Sequence, residues 1–128
     1  MAYLKPPWFT AKVFNKIAMA FGIGGSQTLT VTARGSKQPQ HIPVVVPEVD
    51  GIKYLVSTRG ESDWVRNVRA NPNVQVGKVR YVAAEVPVAK RAPVLAVYRP
   101  LAGKVVEGYW QQLPDDEDHP VFALRPAT

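Results

Sequence analysis

Apolar and polar residues alternate along much of the chain, which is the pattern of strands that bury one face. The alternation predicts strands at residues 28–32, 41–46, 52–56, 74–76, 79–88 and 119–124. Short turns join the first three strands, and Asp50-Gly51 is a typical tight-hairpin pair. Because strands connected in this way run antiparallel, we expect a mainly β, α+β fold. It should be a small barrel of about six mostly antiparallel strands with short connecting helices.

Helical spacing marks the N-terminus of the chain. Phe9, Val13, Ile17 and Phe21 recur every four residues, which predicts an amphipathic helix over residues 1–22. Two interpretations stay open at this point. Either the helix packs on the body of the domain, or its aromatic residues and its lysines, which have no acids among them, contact an anionic membrane surface.

The stretch 54–76 combines a strand, a polar turn, a short helix and a second strand. Ser62 or Asp63 can cap the helix, and the helix must end near Asn71-Pro72 because proline disfavours helical geometry in the preceding residue. The turn 57–60 supplies hydroxyl groups and a guanidinium in front of the helix N-terminus, which suits an anion. The alternative is an ordinary capped helix that joins two strands.

Length and composition limit what the chain can be. Its 128 residues suffice for one domain, 1–128, with a single core. Cysteine is absent, which excludes disulfides, thiolate metal sites and thiol nucleophiles and suits a reducing, cytoplasmic location. We find no apolar run of membrane-spanning length and no signal-peptide layout. Peripheral membrane association would depend on the N-terminal helix.

The charge balance favours an anionic partner. Net charge is +6, and the first 47 residues contain five cations and no acid. Such a balance suits an anionic small molecule, nucleic acid or a membrane surface. Because no arginine-rich tract, zinc spacing or RNA-binding signature is present, we expect no nucleic-acid partner.

Hydrolytic and metal chemistry have little support in the sequence. His41 and His119 are far apart, and the acidic turn 115–118 lacks the central glycine of a calcium loop, so no metal site is predicted. A Gly-x-Ser-x-Gly elbow is also missing. The side chains of Tyr98, Tyr109 and His119 can donate a proton, but the sequence singles out none of them. We therefore assign no catalytic side chain.

Two turns carry most of the anion-binding groups. They are Arg34-Gly35-Ser36-Lys37, between the first two strands, and Ser57-Thr58-Arg59-Gly60. If the strands are adjacent, both turns can face one groove that suits an extended phosphorylated ligand. The alternative is a pair of exposed hairpin ends with solvated cations.

Four segments resemble the deazaflavin (F420)-dependent nitroreductase family. They are Thr30–Pro43, Tyr54–Ser62, the Trp-x-x-Asn-x-x-Ala-Asn-Pro block in Trp64–Val74, and Pro120–Leu124. The resemblance implies a split β-barrel reductase. It would transfer a hydride from reduced coenzyme F420 to a small electron-poor acceptor, such as a quinone, a nitroaromatic compound or an activated enone.

The resemblance also implies a binding site for the phosphate and acidic tail of F420. Residues of the first turn, the second turn and the following helix match family positions. With the remaining members of the two turns, the predicted cofactor-binding residues are Arg34, Ser36, Lys37, Gln38, Pro39, Ser57, Thr58, Arg59, Trp64 and Asn67. Core packing is the alternative role for Trp64, and hydrogen bonding between helix and turn is the alternative for Asn67.

The chain departs from the family pattern in its first turn. Gly35 replaces a lysine and Gln40 replaces a closing arginine, although Lys37 can compensate for the first change. The C-terminal segment also lacks the tyrosine-rich stretch of nitroimidazole-reducing members. Two alternatives therefore stay open: a weakly catalytic or non-enzymatic barrel that binds a fatty acid or another apolar ligand, and an FMN-binding split-barrel oxidoreductase. The expected assembly is a monomer or a homodimer.

Overall fold

The computed structural model describes residues 27–127, with only the backbone of Lys104 and Val105. The amphipathic helix predicted for residues 1–22 lies outside this range. The described strands are β1 (Gln27–Thr32), β2 (Pro39–Val44), β3 (Glu48–Val49), β4 (Ile52–Val56), β5 (Asn73–Val76), β6 (Val79–Glu85) and β7 (Val121–Pro126). The helices are α1 (Asp63–Ala70), α2 (Ala92–Ala102) and α3 (Lys104–Gln112). Short 3₁₀ turns lie at Val88–Lys90 and Asp116–Asp118.

The seven strands form one sheet in the order β2-β1-β5-β6-β7-β4-β3. Each strand pairs antiparallel with its neighbours. The mainly β, α+β architecture agrees with the sequence prediction. The additional strand is the two-residue β3, which pairs with β4 across the tight turn at Asp50-Gly51.

Several predicted boundaries were wrong by a few residues. The strand predicted for 79–88 ends at Glu85, because Pro87 has no N–H to donate and leads into the first 3₁₀ turn. The predicted strand 119–124 begins two residues later, at Val121. Pro100 lies inside α2, and Gly103, with φ of 79°, separates α2 from α3.

One face of the sheet carries the main core. Leu29 and Val31 of β1 and Val74 and Val76 of β5 point into it, between polar residues that point outward. The apolar side of α1 covers this core through Trp64, Val65 and Val68. The alternation of these strands therefore reflects one buried face and one exposed face.

A second core lies on the opposite face of β4 and β7. Val56 and Val121 pack there against α2 and α3, while their neighbours Leu55 and Phe122 belong to the main core. Because β4 and β7 are covered on both faces, their apolar residues are consecutive rather than alternating. As a result, α2 and α3 lie on the second-core side of β4, close to the turn that follows this strand. None of the helices between residues 27 and 127 is long and apolar enough to span a membrane.

Candidate functional site

The turn after β4, residues 57–62, is closed by buried hydrogen bonds. Ser57 is 1% exposed, and its Oγ donates to the Gly60 carbonyl at 2.5 Å. The Ser57 amide donates to the Pro120 carbonyl at 2.9 Å, which links the turn to β7. Gly60 has φ of 83°, a left-handed conformation that glycine adopts without strain. The Ser57 hydroxyl, predicted to contact a cofactor, thus already closes the turn.

His119 packs between this turn and the second core. The ring is fully buried, with Nδ1 2.9 Å from the Ser57 carbonyl oxygen and Nε2 2.6 Å from that of Leu113. It stacks on Trp110, with ring centroids 3.8 Å apart and planes 2° apart. His119 was a possible proton donor in the sequence, whereas this position makes it a support for the turn.

Thr58 is held by a residue of α2. Its Oγ1 lies 2.7 Å from the Tyr98 Oη, so the two hydroxyl groups share a hydrogen bond. Tyr98 is 3% exposed, and burial raises the pKa of its phenol to about 12. The phenol therefore stays protonated at neutral pH. Arg59, the next residue, is half-buried in the same turn.

The first turn, residues 33–38, is exposed and closed mainly by its own backbone. Ala33 donates to the Gln38 carbonyl and Lys37 donates to the Ala33 carbonyl, both at 2.9 Å. Lys37 itself has a positive φ of 64°. Ser36 Oγ accepts the Gln38 amide at 3.2 Å, which leaves the hydroxyl proton of Ser36 for another acceptor. Pro39 follows as the exposed first residue of β2.

Asn67 of α1 attaches the first turn to the helix. Its Oδ1 accepts from the Arg34 amide at 3.0 Å and from Arg34 Nη1 at 2.8 Å. Its Nδ2 donates to Gln40 Oε1 at 2.7 Å. Asn67 is 4% exposed, so this side-chain amide is a buried connector. The alternative role given to Asn67, hydrogen bonding between helix and turn, is observed.

Arg34 also contacts the first residue of α1. Its Nη1 donates to the Asp63 carbonyl at 3.3 Å, and its Nη2 lies 3.6 Å from Asp63 Oδ1. The two side chains are 42% and 73% exposed, so water screens this ion pair. Arg34 is therefore a cation with an internal counter-ion at the protein surface.

α1 brings the two turns together. Ser62, the N-cap residue of α1, is the last residue of the second turn (57–62), and Arg34 of the first turn contacts Asp63 and Asn67. Ser62 Oγ is buried, caps no helix N–H group, and has no hydrogen-bond partner among residues 27–127. Trp64 packs in the main core with its ring centroid 6.0 Å from that of Phe122, as in its alternative role. The helix N-terminus thus lies between two turns rich in donors.

An ion-pair network holds the other end of α1. Arg69 binds both carboxylate oxygens of Glu61 and pairs with Glu85, while the buried Arg91 contacts Glu85 at 3.3 Å. Hydrogen bonding to Arg69 lowers the pKa of Glu85. Arg91 also donates to the Val86 and Asp116 carbonyls, which fixes the start of α2 and the acidic turn. No cluster of three potential metal ligands exists within residues 27–127.

Apart from Asn67, sequence reasoning did not find the residues that hold the two turns. Gln40 was noted only as a departure from the family pattern, and Asp63 only as a helix cap. Tyr98 and His119 were noted only for their chemistry. Their contacts span 40 residues for Tyr98 and 62 for His119, and local patterns contain no signal for contacts of that length.

The family comparison covers almost the whole chain. The model of the family described as F420H(2)-dependent quinone reductase matches residues 9–124. This match agrees with the resemblance found in the sequence. Comparison with curated protein sequences gives no significant match.

Comparison with solved structures shows the fold. A structure described as an F420-H2 dependent reductase (FDR-A) has TM-score 0.59 and 23% identity, over 80% of this chain and 95% of that one. Protein Atu2129 from Agrobacterium tumefaciens, described as of unknown function, has TM-score 0.61 and 17% identity, over 98% of this chain and 58% of that one. A heme binding protein from Mycobacterium smegmatis has TM-score 0.58 and 16% identity, over 96% and 52%. At these identities the fold is shared while the described ligands differ.

Proposed function

The chain belongs to the F420H(2)-dependent quinone reductase family, and on that premise we propose that it is an oxidoreductase that uses reduced F420 to reduce a small electron-poor acceptor. A quinone is the first acceptor to test, before nitroaromatic compounds and activated enones. The observation that carries this proposal is the family match over residues 9–124. The geometry supports it, because the two turns whose residues match the family meet at one helix.

The residues present fit an anionic cofactor tail. The first turn exposes Arg34, Ser36 and Lys37, and the buried Ser62 hydroxyl at the start of α1 has no partner among the described residues. Guanidinium, ammonium, hydroxyl and free helix N–H groups are the donors that phosphate prefers. Gln38 ends the first turn and Pro39 begins β2 beside it, and Thr58 and Arg59 would contact the same tail from the second turn.

The protein's contribution is to bind and orient. When bound, F420 supplies two-electron hydride chemistry, so no side-chain nucleophile is needed. Asn67 and Trp64 would act indirectly, Asn67 by holding the Arg34 loop and Trp64 by packing α1 on the sheet. In the proposed anion-binding site, Asn67 therefore holds Arg34 and Tyr98 holds Thr58 before the cofactor arrives.

A fluorescence titration with oxidised F420 tests the proposal. We expect quenching at micromolar protein, and we expect Arg34→Ala to weaken binding more at low salt than at high salt, because salt screens phosphate contacts. Arg125→Ala is the matched control, since Arg125 is an exposed arginine on β7 rather than on either turn. The rate at which added quinone oxidises reduced F420 should likewise fall for Arg34→Ala and stay near the wild-type rate for Arg125→Ala.

Absence of quenching by the wild-type protein would contradict F420 binding. A yellow flavin that purifies with the protein would instead favour an FMN enzyme, and bound lipid would favour the apolar-ligand alternative. Quenching without quinone reduction would direct the search to nitroaromatic and enone acceptors.

A further inference from the structure

One hydroxyl pair connects the second core to the proposed cofactor site. Thr58 belongs to the turn after β4, and Tyr98 lies in α2 among the residues of the second core. Their oxygens are 2.7 Å apart, the usual length of an O–H···O hydrogen bond. The pair joins a turn predicted to contact the cofactor to a helix that was not predicted to contact it.

The direction of this hydrogen bond follows from the chemistry of its members. Tyr98 is 3% exposed, whereas Thr58 is only partly buried. A phenol is a stronger proton donor than an aliphatic hydroxyl, and the buried phenol stays protonated at neutral pH. The 2.7 Å distance fits either hydroxyl as the donor, and this difference in acidity favours Tyr98 as donor and Thr58 Oγ1 as acceptor. The proton of Thr58 is then left for an acceptor other than Tyr98.

We propose that Tyr98 is a positioning residue for the cofactor site: by donating to Thr58 Oγ1, it directs the Thr58 hydroxyl proton to an anionic oxygen of F420. This inference rests on the proposed function. A hydroxyl that accepts one hydrogen bond also donates a stronger one, because the two bonds polarise each other. Tyr98 thereby acts on a ligand that it does not itself contact.

A double-mutant cycle on F420 binding tests this relay. Tyr98→Phe keeps the ring and removes only the hydroxyl. We expect it to raise the Kd for F420 about fivefold, which corresponds to the loss of one net hydrogen bond. In a Thr58→Val background the same change should have no further effect, because the group through which Tyr98 acts is gone. Tyr54→Phe is the matched control, since Tyr54 is partly buried against the same core but lies on β4.

A second ligand separates positioning from a general effect on packing. Binding of the same deazaflavin without its phosphate-bearing tail should be unaffected by Tyr98→Phe if Thr58 donates to the tail. If Tyr98→Phe does not fold, Thr58→Ser and Thr58→Val replace it. The serine variant keeps the hydroxyl and should bind F420 about as the wild type does, whereas the valine variant should not.

Several results would overturn the relay. These are equal affinities for wild type and Tyr98→Phe, additive losses in the double mutant, equal losses for Tyr54→Phe, or equal losses of binding for Thr58→Ser and Thr58→Val. Failure of the wild type to bind F420 would instead refute the proposed function. The two failures are therefore distinguishable in one titration series.

Discussion

The two turns that meet at α1 are held in different ways. The first turn is exposed and depends on its own backbone and on polar contacts with Asn67 and Asp63. The second turn is largely buried, and Tyr98 and His119 hold it from the second core. The first turn should therefore respond to charge and salt, and the second to substitutions far away in the core.

The largest expected effect is a loss of stability on substitution of His119, which holds the second turn. His119→Ala should lower the free energy of unfolding by about 3–5 kcal/mol, because it opens a cavity, removes the stack on Trp110 and leaves the Ser57 and Leu113 carbonyls without their ring partner. Urea denaturation followed by tryptophan fluorescence measures this loss.

His41→Ala is the matched control, because His41 is exposed on β2 and its ring shares one exposed hydrogen bond with Thr30 Oγ1, at 3.0 Å. We expect it to change stability by no more than about 0.5 kcal/mol. Similar losses for the two histidine variants would break the comparison, since the second turn would then not depend on a buried support.

Local patterns predicted the strands and α1 because those elements follow from neighbouring residues. The alternation in β1 and the limits of α1, between Ser62 and Asn71-Pro72, could be read directly from the sequence. The supports of the second turn could not. Tyr98 and His119 reach Thr58 and Ser57 only because β7 pairs with β4 and α2 and α3 cover both strands. No periodicity specifies that strand order.

In the first turn, too, the sequence predicted residue types better than contacts, although these contacts span fewer residues. Arg34, Ser36 and Lys37 were identified from their chemistry and from the family pattern, but the attachment of Arg34 to Asn67 was foreseen only as an alternative. Asp63 was expected only as one of two candidate helix caps, and its pairing with Arg34 depends on the packing of α1 against β1. Residue type therefore indicates the members of the proposed site, whereas their hydrogen-bond partners depend on tertiary structure.

The pH dependence of stability at alkaline pH tests whether the Tyr98 hydroxyl that holds the second turn is buried away from water. Burial raises the pKa of Tyr98 to about 12, above its ordinary value near 10, so the folded state holds this proton more tightly than the unfolded state. Stability from this residue is fully present below pH ~10 and is lost as pH rises toward ~12. Two pKa units correspond to a loss of about 2–3 kcal/mol.

Denaturant unfolding of wild type and Tyr98→Phe across this pH interval isolates the contribution. The remaining tyrosines and lysines titrate in both proteins, so the difference between the two curves reports Tyr98. We expect the wild type to lose stability more steeply than the variant. Parallel curves would mean that the Tyr98 hydroxyl is hydrated, and the second turn would then be no better protected from water than the first.

The smallest effect belongs to the first turn and should increase binding. Asp63 lies 3.6 Å from Arg34, so its carboxylate competes with an incoming phosphate for the guanidinium and also repels that phosphate. Asp63→Asn removes the charge and keeps the shape of the side chain. Because both side chains are well exposed, we expect F420 to bind only about two- to threefold more tightly at low salt, with little change at high salt.

Asp115→Asn separates the local charge from the net charge. It makes the same change in an exposed residue of the acidic turn, which belongs neither to α1 nor to the first two turns, and should leave F420 affinity nearly unchanged. If Asp63→Asn instead weakens binding at every salt concentration, then Asp63 positions Arg34 rather than competing for it. The first turn would in that case be pre-organised by its ion pair, as the second turn is by its buried hydroxyl pair, and the two turns would differ in exposure but not in principle.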